Sequence, residues 1–185
     1  MKQALSRILP LARLLTVAAA ALAATQVHAD DYSDVGQLIR TGKLAEAQAK
    51  VDQYLSSKPR DPQMRFLKGV IQTESGKPAD AIETLTGLTQ EFPELPEPYN
   101  NLAVLYAGQN QYDKARTALE MAVKLNPAYA TAHENLGDIY AKLASQAYGK
   151  SLQLAGNNPQ AQQKVAAINN MLAPKGAKPA PATAK

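Results

Sequence analysis

From about residue 31 to residue 160 the apolar positions fall into stripes of helical spacing, separated by short polar or turn-forming breaks. The clearest stretch runs from Pro96 to Tyr129. Its first stripe is Tyr99, Leu102, Ala103 and Tyr106, and steps of three, one and three place all four on one helical face. Pro96 and Pro98 stand at the start of that helix, where a missing N–H costs little. Gly108 and Asn110 then supply residues able to turn the chain. A second stripe follows at Tyr112, Ala115, Leu119, Ala122 and Val123, and Asn126-Pro127 ends it, because the residue before proline is pushed out of the helical region. The pattern predicts two antiparallel helices that cross closely at Ala103 and Ala115, with Tyr106 and Tyr112 filling the space beside the crossing.

The same skeleton recurs at one interval. Pro59, Pro93 and Pro127 stand 34 apart, as do Ala47, Ala81 and Ala115, and Val51, Leu85 and Leu119. Val35, Gly69 and Ala103 keep step, and so do Gly42, Gly76 and Asn110. This period is that of a helix–turn–helix unit that stacks into a solenoid. The fold expected is all-α, with repeats at about 28–61, 62–95 and 96–129 and an irregular fourth at 130–161. A capping helix is expected at 160–172, carrying Val165, Ile168 and Leu172 on one side. The fourth unit is two residues short. Leu136, Tyr140, Leu143 and Ala147 carry one stripe through the place where a turn belongs, and 141–147 lacks glycine, proline and asparagine. Either a tight turn near Ser145 or one continuous helix to about Leu154 satisfies that pattern. The continuous helix leaves Leu152 and Leu154 uncovered, which invites a homodimer.

In the third unit Tyr99, Leu102, Ala103, Tyr106, Tyr112, Ala115, Leu119, Ala122 and Pro127 resemble the tetratricopeptide repeat, with Asn110 in place of its usual glycine. The second unit departs more, since Lys68, Gln72 and Pro78 occupy slots usually apolar or aromatic in that family. The resemblance spans about 31–160 and implies a right-handed solenoid with a concave groove lined by the first helix of each unit. It further implies partner-binding positions at Phe66, Val70 and Thr73 in unit two, Asn100 and Val104 in unit three, and Glu134, Asp138 and Lys142 in unit four. Such a groove suits a protein partner or an extended peptide, held by Asn100 through its backbone, with Phe66 and Val70 taking an apolar side chain. Its net acidity favours a neutral or basic segment. The cations that some family members use to clamp a carboxylate are missing here, with only Lys142 in reach.

Charge and composition narrow the function classes. The chain carries 20 Lys+Arg against 16 Asp+Glu. Lys2, Arg7 and Arg13, then an apolar run from Leu14 to Ala24, then Val27-His28-Ala29, have the form of a secretory signal peptide over 1–29. Without those three cations and the lysines at 175, 178 and 185, the body 30–172 holds 14 basic and 16 acidic residues, which leaves no electrostatic footprint for nucleic acid. The expected location is periplasmic, with no stable membrane insertion after cleavage. The absence of cysteine makes disulfide chemistry unnecessary there. Residues 173–185, rich in Ala, Pro and Lys, cannot bury a core and are expected to be disordered.

No catalytic residue, metal ligand or cofactor is expected. Outside the leader there is one histidine, His133, and no cysteine, which removes most nucleophile–base pairs. His133-Glu134 opens like a zinc-protease helix, but Gly137 stands where its second histidine belongs. His133 sits in the register of Tyr99 and is expected to pack. The expected role is a non-catalytic interaction scaffold in envelope assembly, secretion or division, with a self-associating structural subunit as the alternative.

Overall fold

A computed structural model describes residues 31–173. The leader and all but the first residue of the Ala/Pro/Lys tail lie outside the described residues. Within them the chain is all-α: α1 covers residues 31–40, followed by α2 (Leu44–Ser57), α3 (Pro62–Glu74), α4 (Pro78–Glu91), α5 (Pro96–Gly108), α6 (Tyr112–Leu125), α7 (Ala130–Ala155) and α8 (Pro159–Met171). They divide into two compact units, one ending at Thr84 and the other beginning at Leu85.

Three turns share one hydrogen-bond pattern, and that pattern explains why Gly42, Gly76 and Asn110 recur in step. After α1 the Gly42 N–H donates to the Ile39 carbonyl and the Lys43 N–H to Leu38. After α3 the donors are Gly76, to Thr73, and Lys77, to Gln72; after α5 they are Asn110, to Ala107, and Gln111, to Tyr106. This is a Schellman closure, which needs one residue in the left-handed region. Gly42, Gly76 and Asn110 supply it with φ of 72°, 69° and 59°. Asparagine serves in the third turn because its short amide tolerates that backbone, and its Oδ1 also accepts the Tyr112 hydroxyl at 2.7 Å.

The fourth turn is absent. One more period places Ala144 where Gly42, Gly76 and Asn110 stand, and a Cβ-bearing alanine there favours the right-handed helix. α7 accordingly runs unbroken for 26 residues and stops only at Gly156, with φ 67°. Of the two alternatives left open by the sequence, the continuous helix is the one formed. α8 then starts with Asn158, whose Oδ1 accepts the Ala161 N–H at 3.0 Å, and Pro159 in its first turn.

The first unit is built around Val35, Ala47, Val51, Met64 and Ile71, with Tyr32, Leu38, Ile39, Tyr54, Leu55 and Leu67 packed against them. Lys68, unexpected in its slot, is accounted for by an ion pair from its Nζ to Asp52 Oδ1 at 3.0 Å, which ties α3 to α2. The second unit centres on Ala103, Ala115, Ala118, Leu119, Ala122, Ala132 and Ile139. Ala103 and Ala115 are fully buried, as close helix crossing requires, and Tyr106 and Tyr112 pack beside them.

Candidate interaction surface

The register positions fall on two faces, one in each unit. In the first unit Phe66, Val70 and Thr73 follow one another at helical spacing along α3, all half-buried, and Thr73 Oγ1 donates to the Gly69 carbonyl at 2.9 Å. In the second unit α5 and α7 lie side by side, joined by a hydrogen bond from Asn135 Nδ2 to Asn100 Oδ1 at 2.8 Å. That bond fixes the seam. Val104 lies one turn after Asn100 on α5; Asp138 and Lys142 lie one and two turns after Asn135 on α7, and Glu134 stands beside it.

Asn100 departs from its expected role. It is only 5 % exposed, its Oδ1 is taken by Asn135, and its Nδ2 donates to Asn101 Oδ1 at 3.3 Å. Burying an amide demands such partners, so Asn100 locks two helices together rather than presenting its side chain to a ligand. Its neighbours form the accessible surface. Val104 is 49 % exposed, Glu134 and Asp138 are exposed, and Lys142 is half-buried at one end. No ion pair among the described residues involves Glu97, Glu134 or Asp138. Glu97 acts nearby: burial first, and then its carboxylate, push the Tyr129 hydroxyl above its ordinary pKa. The α5/α7 face therefore carries an exposed valine on α5 and, on α7, two exposed carboxylates that form no ion pair among the described residues.

His133 does not pack as expected. It is exposed, and its Nε2 lies 3.0 Å from the Pro127 carbonyl oxygen. One period earlier the Tyr99 hydroxyl reaches the Pro93 carbonyl at 3.4 Å. Both side chains meet the carbonyl of the proline six residues back, which helps hold the turn that the proline makes. A sequence column shows size and polarity but not that shared partner.

Two other features carry no catalytic arrangement. In the first unit the Tyr32 hydroxyl donates to Asp61 Oδ2 at 2.6 Å and the Tyr54 hydroxyl to the same oxygen at 3.2 Å, while Asp61 Oδ1 accepts the Met64 N–H at 2.8 Å to cap α3. Burial, then the hydrogen bonds to Asp61 and Tyr54, push the Tyr32 hydroxyl far above the usual tyrosine range. It is thus held as a neutral donor, the opposite of an activated base. A hollow of about 430 Å³ lies between α5 and α6, lined by Tyr99, Tyr106, Asp113, Lys114, Thr117, Ala118 and Met121. The Lys114 ammonium sits 5.5 Å from the centre of the Tyr106 ring, a cation–π contact that steadies the wall. Among the described residues no group of three or more His, Cys, Asp or Glu is placed to hold a metal ion.

Sequence models of the tetratricopeptide repeat match residues 38–96 and 72–136, which together span more than half of the chain. The chain belongs to the tetratricopeptide-repeat family. A chloroplastic tetratricopeptide repeat domain-containing protein of Arabidopsis thaliana, PYG7, is 39 % identical over 82 residues, covering 42 % of this chain and 27 % of that protein. The chain thus matches about a quarter of that relative's length. Among solved structures it is similar to the thermophilic protein TTC0263 of Thermus thermophilus, with a TM-score of 0.58 at 22 % identity over 77 % of this chain and 81 % of that one. It is also similar to the first tetratricopeptide domain of Spaghetti (RPAP3) bound to the HSP90 peptide SRMEEVD, with a TM-score of 0.57 at 17 % identity over 62 % and 90 % of the two chains. At these identities the structural likeness speaks for the fold, an all-α tetratricopeptide solenoid. That fold is consistent with a protein–protein interaction scaffold.

Proposed function

We propose that this chain is a non-catalytic scaffold that holds an extended, neutral or basic segment of a protein partner against the α5/α7 face of its second unit. The observation that carries the reading is the exposed Val104 on α5 together with Glu134 and Asp138 on the adjacent α7, exposed carboxylates that form no ion pair among the described residues. A peptide running along two adjacent helices can seat one apolar side chain on Val104 and set a lysine or arginine against the acids. The Spaghetti neighbour holds a peptide with two glutamates and an aspartate. On the α5/α7 face only Lys142 would oppose such charge, so an acidic ligand is disfavoured here.

The leader-like pattern at 1–29 supports export, and with it a periplasmic role in envelope assembly, secretion or division. N-terminal sequencing of the protein recovered from the periplasmic fraction would begin at Asp30; an uncleaved protein in the cytosol would overturn this placement. None of the described helices is long and apolar enough to cross a membrane.

The peptide reading is tested by titrating the chain with synthetic peptides of matched length, one basic and one acidic, and following binding by fluorescence anisotropy. The basic peptide should bind and the acidic one should not, and Asp138→Arg should weaken the basic peptide at least about tenfold. Equal binding of both peptides, or an unchanged affinity in the variant, would refute the site. A second reading, self-association, is supported by Leu154 near the end of α7, which is 77 % exposed. Light scattering at high concentration should then show a dimer that Leu154→Glu dissolves, and a monomer in the parent protein removes that reading.

A further inference from the structure

α7 carries an open face whose equivalent is covered in the preceding repeat. On α5, Tyr99, Ala103 and Tyr106 belong to the core that α6 completes with Tyr112, Ala115, Leu119 and Ala122. One period later His133, Gly137 and Tyr140 of α7 are all exposed, and a Cβ added at Gly137 meets nothing within 4 Å. The covering helix never folds back, because α7 runs straight through the missing turn. With Pro159 set against Pro127, the positions of Tyr112, Ala115, Leu119 and Ala122 recur as Ala144, Ala147, Ser151 and Leu154. Ala147 and Leu154 are exposed, and Ala144 and Ser151 half-buried.

Both sets therefore share one helix. Positions 133, 137, 140, 144, 147, 151 and 154 advance by alternating steps of four and three, which makes one stripe about 32 Å long. The stripe is symmetric about Lys142: 133 pairs with 151, 137 with 147 and 140 with 144. An isologous two-fold contact needs this property, since residue i meets j and j meets i. We infer that α7 packs antiparallel against α7 of a second copy, about a two-fold axis level with Lys142. Gly137 then meets the partner's Ala147, the close crossing that Ala103 and Ala115 make within one chain. Tyr140 lies over the partner's Ala144 and Leu154 over the partner's Ala130, so large side chains face small ones. Any other helix would have to match this register, whereas a second copy matches it by symmetry. Lys142 and Asn135 stand on the other side of α7, Asn135 bonded to α5, so the α5/α7 face stays outside the contact. Two helices about 10 Å wide, meeting over that length, hide on the order of 600 Å² in all, below the roughly 1,200 Å² of a stable interface, so the dimer is weak and reversible. This pairing rests on the self-association reading and gives it a geometry.

The chain has no cysteine, so introduced ones report the contact directly. Within one chain positions 137 and 147 are about 15 Å apart along α7, beyond the reach of a disulfide. Under mild oxidation, the full chain carrying Gly137→Cys and Ala147→Cys should give a covalent dimer linked between those two positions. Either substitution alone should not, because each residue is at least about 15 Å from its counterpart across the axis. Light scattering should show a dimer at high concentration. Ala147→Glu should raise its dissociation constant at least about tenfold by placing a carboxylate in the contact, with helix content by circular dichroism unchanged. A dimer that forms without the 137–147 disulfide, that crosslinks equally through either cysteine alone, or that ignores Ala147→Glu overturns the antiparallel α7 contact and leaves self-association through another surface. A monomer at every concentration, with no disulfide, removes both.

Discussion

The buried Asn100–Asn135 pair allows a quantitative test of how the second unit is held together. Asn135→Ala removes the donor to Asn100 Oδ1 and leaves that oxygen in a residue only 5 % exposed. An unsatisfied buried polar group costs about 1–3 kcal/mol. Asn100→Leu removes the acceptor instead, with the same branching at Cγ but bulkier methyl groups that the α5/α7 seam has to accommodate. Asn101 and Asn135 are then left half-exposed, where water can replace the lost bonds, so the expected cost is about 1 kcal/mol. The double variant has no orphaned Asn100 oxygen and should be more stable than Asn135→Ala alone. The cycle should thus give a coupling of about 1–2 kcal/mol, in the range found for residues that share a hydrogen bond. Urea unfolding followed by circular dichroism reads it: with a slope of about 1–3 kcal/mol/M, a loss of about 2 kcal/mol moves the midpoint by about 1 M. Additivity within about 0.3 kcal/mol would refute the claim that the two amides depend on each other.

The repeat turns make a second prediction. A Cβ at Gly76 meets nothing within 4 Å, yet φ is +69°, so Gly76→Ala should cost about 1–2 kcal/mol from backbone strain alone. At Gly137, inside α7, the added methyl also meets open space and φ is ordinary, so Gly137→Ala should stabilise by about 0.5–1 kcal/mol; equal effects at the two sites in thermal unfolding would contradict this. For Leu119, 1 % exposed in the second core, truncation to alanine should cost about 2–5 kcal/mol by urea titration, and a loss under about 1 kcal/mol would show that the site is not packed. The Tyr32 hydroxyl is pushed up in the fold, so its contribution is complete below the unfolded pKa near 10 and is lost as pH rises past that value. Stability should therefore fall above about pH 10 in the parent with a slope that Tyr32→Phe reduces, and parallel pH profiles would contradict the assignment.

Much of the architecture was legible because it depends on residue types with few substitutes. Left-handed turns require glycine or asparagine, close helix crossings require a small residue such as alanine, and the turns between repeats use proline, so Gly42, Gly76, Asn110, Ala103, Ala115 and Pro127 each state their role. The missing turn at Ala144 was legible only as a choice between two conformations, since lack of a turn residue disfavours a turn without specifying the helix. Cross-helix polar partners were not legible. Asn100 occupies a register position that faces ligands in the family resemblance, but its amide is close enough to Asn135 to be captured and buried. Lys68 breaks the apolar pattern because Asp52, sixteen residues earlier, pairs with it. His133 reads as a large packing residue until the Pro127 carbonyl is seen beside it. Each of these depends on a distance across the fold that spacing along the chain does not encode.

The central claim is that the α5/α7 face engages a polypeptide, and a photo-crosslinking residue placed at Val104 in the full chain tests it most directly. Irradiation in intact cells should yield a discrete adduct to one polypeptide. That adduct should be lost on Asp138→Arg and absent when the probe sits at the exposed position Gln162 on α8. An adduct of equal yield at Gln162, or one that persists in Asp138→Arg, would contradict the account.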